Sequence, residues 1–94
     1  MKPQIIYIKN LPISYDEDRV FQLFSAYGKI TKISYPIDKK TNQAKGYAII
    51  RFANSEAAER ALEKNGEEIE EKKLVVEYSK DQTLTDIFKP RGNE

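Results

Sequence analysis

The chain has 94 residues, 39% of them hydrophobic, which supports one ordered domain with one modest core. It contains no cysteine and no histidine, and this excludes disulfides, thiolate or imidazole metal sites, and any catalysis that turns on a histidine base. Net charge is only +1 but unevenly spread, with nine Lys/Arg against four Asp/Glu in residues 1–52 and seven against eleven in residues 53–94, so an anionic partner is sought on the first half.

Ile5-Ile6-Tyr7-Ile8-Lys9 is rich in β-branched and aromatic residues and reads as a strand, closed by Asn10-Leu11-Pro12. A helix is expected next, because Val20, Leu23, Phe24 and Tyr27 fall at helical spacing and form one apolar stripe. Its start has two candidate caps, Ser14 in a capping box with Glu17, or Asp16, and Gly28 is the expected stop. The stretch from Ile30 to Ile37 alternates through Ile33, Tyr35 and Ile37 as a half-buried strand, and Pro36 suits an edge position, where a missing N–H costs little. A polar loop with Lys39, Lys40 and Lys45 leads into Gly46-Tyr47-Ala48-Ile49-Ile50-Arg51-Phe52, the most strand-like run in the chain.

A second helix is expected from Ser55 as N-cap, with Ala58, Ala61 and Leu62 facing inward, ending at Asn65-Gly66. Residues 67–73 are a charged loop or hairpin, and Leu74-Val75-Val76-Glu77-Tyr78 is the last strand. The order β-α-β-β-α-β predicts an α+β sandwich of the ferredoxin-like kind, a four-stranded antiparallel sheet with two helices on one face. The domain is expected over residues 4–80. The tail, residues 81–94, carries Leu84, Ile87 and Phe88 at the spacing of a short helix, with a frayed end after Pro90.

Successive side chains of a strand point to opposite faces. If Ile6, Ile8, Ala48, Ile50, Phe52, Leu74 and Val76 build the core, then Tyr7, Lys9, Tyr47, Ile49, Arg51, Val75 and Glu77 point away from it. Tyr7, Tyr47 and Ile49 are thus expected to lie exposed on neighbouring strands with Lys9, Lys45 and Arg51 around them. A tyrosine ring offers a flat face on which an unpaired base stacks, and lysine or arginine beside it holds phosphate. Aromatic residues interleaved with basic ones on a sheet suit single-stranded nucleic acid. Two exposed tyrosines on adjacent strands can also simply stabilise the sheet by pairing with each other.

Lys45-Gly46-Tyr47-Ala48-Ile49-Ile50-Arg51-Phe52 and Ile6-Tyr7-Ile8-Lys9-Asn10-Leu11 resemble the octapeptide and hexapeptide of the RNA-recognition-motif family. The resemblance runs from about Gln4 to Lys80. It implies that Tyr7 and Tyr47 stack on two neighbouring bases of single-stranded RNA and that Lys45 contacts phosphate. Ile49 would pack on a sugar or base edge where the family has a ring. Ser79 and Lys80, at the exit of the last strand, would read bases through backbone groups, and Lys9, Asn10, Arg51 and Glu77 would add hydrogen bonds. Two outline features depart from the family. The second helix is short, and Glu71 stands near the place of a glycine.

No enzyme, metal or cofactor is expected. Some ferredoxin-like domains hydrolyse acyl phosphates, but the first loop here, Asn10 to Ser14, has neither the arginine nor the glycine of a phosphate cradle, and Arg19 falls inside the helix. The alternative to RNA binding is a protein-interaction module on the same fold, its partner meeting the C-terminal tail or the helical face. The chain is expected to act as a monomer inside the cell, with no membrane span and no secretion signal at its start.

Overall fold

The computed structural model describes residues 2–80 and Gln82. The first strand, β1 (Ile5–Lys9), is followed by α1 (Glu17–Ser25), β2 (Ile30–Ser34), a small hairpin of β3 (Ile37–Asp38) and β4 (Gln43–Ala44), then β5 (Ala48–Phe52) and α2 (Ser55–Ala61). Helix α2 runs into a 3-10 turn at Leu62–Lys64. A second small hairpin, β6 (Glu68–Ile69) and β7 (Lys72–Lys73), leads to β8 (Val75–Tyr78). The long strands form one antiparallel sheet in the order β2-β5-β1-β8. Strands β5 and β1 are therefore central, and β2 is an edge, although Pro36, expected within it, falls after its end at Ser34. Among the described residues no helix is long and apolar enough to cross a membrane.

One face of the sheet carries the core. Ile6, Ile8, Ile33, Ala48, Ile50, Phe52 and Val76 meet Val20 and Phe24 of α1 and Ala57, Ala58 and Ala61 of α2 in a single buried cluster. Fully burying a side chain such as Phe24 stabilises the fold by roughly 1.5–3 kcal/mol. The α1 cap is Asp16, whose carboxylate accepts from the Arg19 N–H at 2.8 Å, with Glu17 and Asp18 in the positive first turn. Ser14 instead donates to Glu70 Oε1 at 3.0 Å. The α2 cap is Asn54, not Ser55: its side-chain oxygen accepts from the Ala57 N–H, and Ser55 is the first helical residue. An amide oxygen one residue earlier reaches the orphan donor, so the helix starts a step sooner than a Ser55 cap would allow.

The expected alternation of Ile33, Tyr35 and Ile37 holds only in part. Ile30 and Ile33 are both buried three residues apart, which a period of two cannot deliver, and the register slips at Thr31 between Ile30 and Lys32. After Ser34 the chain leaves the sheet. Ile37 lies exposed in the β3-β4 hairpin, opposite Ala44. In the second hairpin, Glu70 and Glu71 both take positive φ, 51° and 70°, the geometry of a two-residue turn that matches strand twist.

Tyr35 is buried, and its hydroxyl donates to the Tyr15 carbonyl at 2.7 Å. Burial first, and the nearby Asp16 carboxylate second, push its phenol above the ordinary 10.0. The fold thus favours the neutral form. Tyr35 contributes its full stabilisation below pH 10 and loses it as pH rises through the folded value, because the unfolded chain ionises first. Urea unfolding at stepped alkaline pH is expected to show a steeper loss of stability for wild type than for Tyr35→Phe. Parallel curves would contradict this.

Candidate nucleic-acid interface

The sheet face opposite the helices is built from β1, β5, β2 and β8 in register. Tyr7 lies between Ile49 of β5 and Glu77 of β8. Ile5 lies opposite Arg51, and Lys32 and Ser34 lie opposite Arg51 and Ile49. Tyr47 sits one residue before β5, close enough for its ring to pair with Tyr7 at a centroid distance of 5.8 Å and an angle of 55°. Both rings are half-exposed. Such a tilted pair is a favourable aromatic contact in its own right, and it leaves ring surface open to solvent.

Around the rings the charges are mostly positive. Lys9 places its ammonium 5.5 Å from the Tyr7 centroid and 3.3 Å from Glu77 Oε2. Lys45 and Lys80 are exposed, and Lys32 and Arg51 are half-exposed. A recess of about 300 Å³ opens between β1 and β8. Tyr7, Lys9, Ile49, Glu77, Tyr78, Ser79 and Lys80 line it.

Six of the ten residues singled out from sequence thus meet at this recess: Tyr7, Lys9, Ile49, Glu77, Ser79 and Lys80. Tyr47 joins through its contact with Tyr7, and Arg51 lies further along the same face. Lys45 precedes Tyr47 in the chain and bonds through its N–H to the Pro36 carbonyl, leaving the ammonium outside.

Three residues sit differently from expectation. Ile49 is buried, 8% exposed, because it packs with Ile5 and Tyr7 in a second small apolar cluster on this face. It is a floor of the recess rather than an exposed platform. Asn10 ends β1 in a left-handed conformation, φ 66°, and its side-chain amide donates to the Lys73 carbonyl at 2.9 Å, tying β1 to β7. Ser79 is buried, its N–H donates to the Ile5 carbonyl and its own carbonyl accepts from Gln82 Nε2. The Ser79 N–H and one lone pair of its carbonyl are thus used within the protein.

The sequence reading missed Lys32 and Gln82. The parity that sends Ile33 inward also sends Lys32 to the open face, so Lys32 was findable. Gln82 was not. Its side-chain amide accepts from the N–H groups of Gln4 and Ile5 and donates to the carbonyls of Ile5 and Ser79, like one added rung of the ladder. No spacing rule announces such a bond across 77 residues. The expected tail helix, residues 83–88, lies outside the described residues.

A four-stranded antiparallel sheet with two helices behind it and paired aromatics in front defines a ferredoxin-like domain with an open binding face. The chain belongs to the RNA recognition motif family, whose model matches residues 6–75. It is 31% identical over 75 residues to the nuclear localization sequence-binding protein of Saccharomyces cerevisiae, covering 79% of this chain and 18% of that protein. It is 38% identical over 72 residues to polyadenylate-binding protein 2 of Arabidopsis thaliana, covering 76% of this chain and 11% of that one. The chain therefore spans less than a fifth of the length of either relative. Its fold superimposes on the structure of the Rna15 RNA recognition motif with bound GU RNA at a TM-score of 0.83 and 25% identity, covering 88% of this chain and 89% of the other.

Proposed function

We propose that this domain binds single-stranded RNA on the open sheet face, stacking two neighbouring bases on Tyr7 and Tyr47. The observation that carries this reading is the tyrosine pair itself, Tyr7 on β1 and Tyr47 just before β5, with ring centroids 5.8 Å apart and half-open to solvent. Lys45, Arg51 and Lys32 lie where a backbone crossing β5 and β2 would run, and Lys80 lies at the exit of β8. Membership of the family and the likeness to an RNA-bound relative support it. Specificity in such modules comes from base edges, while stacking supplies sequence-tolerant affinity.

The test is an amide-shift titration with a randomised single-stranded RNA pool at two salt concentrations. Shifts are expected at Tyr7, Lys9, residues 45–51 and Lys80, with affinity falling as salt rises, by a log–log slope of about −0.7 per phosphate neutralised. A sheet that stays silent at low salt would overturn the reading. The second reading is a protein-interaction module on the same fold: Ile5 and Ile49, on the same face, are buried, which leaves less of that face open to a base. Silence toward RNA would move the domain to that second class.

A further inference from the structure

The recess beside Tyr7 carries one donor and one acceptor held side by side. Glu77 is the cross-strand neighbour of Tyr7 on β8, and Lys9 follows Tyr7 on the same face of β1. Their charged ends are 3.3 Å apart and about half-exposed, at 49% and 48%. A pair so open to water contributes little to stability. Glu77 is also a carboxylate that shares the recess with Lys9 and Lys80, and it repels any phosphate that those two residues attract. Its position suits a ligand group that donates hydrogen bonds at the depth of the stacked base.

We infer that Lys9 and Glu77 together read the edge of the base stacked on Tyr7, and that they select guanine. The inference rests on the RNA-binding reading proposed above. A carboxylate only accepts hydrogen bonds and an ammonium only donates them. The pairing edge of guanine presents two adjacent donors, N1–H and the N2 amino group, next to one acceptor, O6. The two donors meet the two oxygens of Glu77 in a bidentate, charge-assisted bond, and O6 falls to the Lys9 ammonium. Uracil offers one N–H between two acceptors. Adenine and cytosine offer one amino group beside ring acceptors. Each of these satisfies a single Glu77 oxygen and leaves the other without a partner from the base.

The Lys9–Tyr7 geometry fits this exchange. The Lys9 ammonium covers the Tyr7 ring at 5.5 Å, where a base must lie. A stacking guanine takes the ring face, and the ammonium moves to O6 while staying beside Glu77.

The experiment measures binding of heptanucleotides UUUNUUU by fluorescence anisotropy, with N as guanine, adenine, cytosine, uracil or inosine. Guanine is expected to bind about tenfold tighter than uracil, the order of discrimination of one bidentate contact. Inosine, which lacks the N2 amino group, is expected to lose most of that advantage. Glu77→Gln, which replaces one of the two acceptor oxygens with a donor amide, is expected to abolish the difference between guanine and inosine. Equal affinity for all five, preference for another base, or a guanine preference that survives in Glu77→Gln would overturn the inference and leave the RNA-binding reading standing. Failure of every oligonucleotide to bind would overturn both.

Discussion

Removing both rings in Tyr7→Ala/Tyr47→Ala is expected to weaken binding of a short single-stranded RNA by about a hundredfold, with the sheet still folded. The size follows from stacking, worth about 1–3 kcal/mol per base on an aromatic platform. Two platforms give a ceiling well above a hundredfold. The rings touch each other, however, at 5.8 Å, so their losses overlap and do not add. The two phenylalanine substitutions, Tyr7→Phe and Tyr47→Phe together, keep both ring faces and discard only the hydroxyls. That variant is expected to bind within a few-fold of wild type. The pair of variants separates stacking from hydrogen bonding by the phenols. Anisotropy titrations at two salt concentrations supply a second check. Neither variant removes a cation, so the salt slope is expected to stay as in wild type while the intercept drops for the alanine pair. An alanine double variant that binds like wild type would mean that the tyrosines only stabilise the sheet.

Much of this arrangement was legible from strand parity. Once Ile6 and Ile8 are assigned to the core, Tyr7 and Lys9 have nowhere to go but the other face, and the same logic places Arg51 and Glu77. Parity stops being informative where the backbone stops being regular. The bulge at Thr31 and the exit of the chain after Ser34 carry Ile37 out of the sheet, and a reading that counted by twos kept it in. Parity also says which way a side chain points, not what covers it. Ile49 points to the open face as expected and is buried there all the same, because Ile5 and Tyr7 gather around it. The caps show the limit of local signals: Ser14 and Asp16 are equally good on paper, and Asn54, passed over for Ser55, is an equally good cap residue. The choice is made by where the chain enters each helix and, for Ser14, by the reach to Glu70. Backbone engagement of Ser79 is invisible to sequence altogether, since its partners Ile5 and Gln82 are chosen by the fold.

Gly28 was expected only as a helix stop, and the structure gives it a larger task. The last α1 turn closes with the Tyr27 and Gly28 N–H groups donating to Phe24 and Ser25, and α2 then crosses directly over Gly28. A Cβ added at Gly28 would lie 2.4 Å from the Ala57 Cβ and 3.7 Å from its Cα. Neither is the far end of a flexible chain that could swing aside, and Ala57 is itself buried. Helix α2 would have to move off the sheet. The backbone at Gly28, with φ 156°, adds strain for any residue that has a Cβ. Gly28→Ala is therefore expected to cost about 1–3 kcal/mol of unfolding free energy in urea, the usual range for overpacking a closed contact. The gain of about 0.4–1 kcal/mol that alanine brings by restricting the unfolded chain offsets only part of this. The double variant Gly28→Ala/Ala57→Gly removes the opposing methyl and is expected to be more stable than the sum of the two single costs predicts, with a coupling of about 0.5–3 kcal/mol. Strict additivity would show that the close approach is not what Gly28 serves. Because α2 packs behind the sheet and Tyr7 stands in front, RNA affinity of the folded Gly28→Ala protein is expected to match wild type, which separates damage to the scaffold from damage to the binding face.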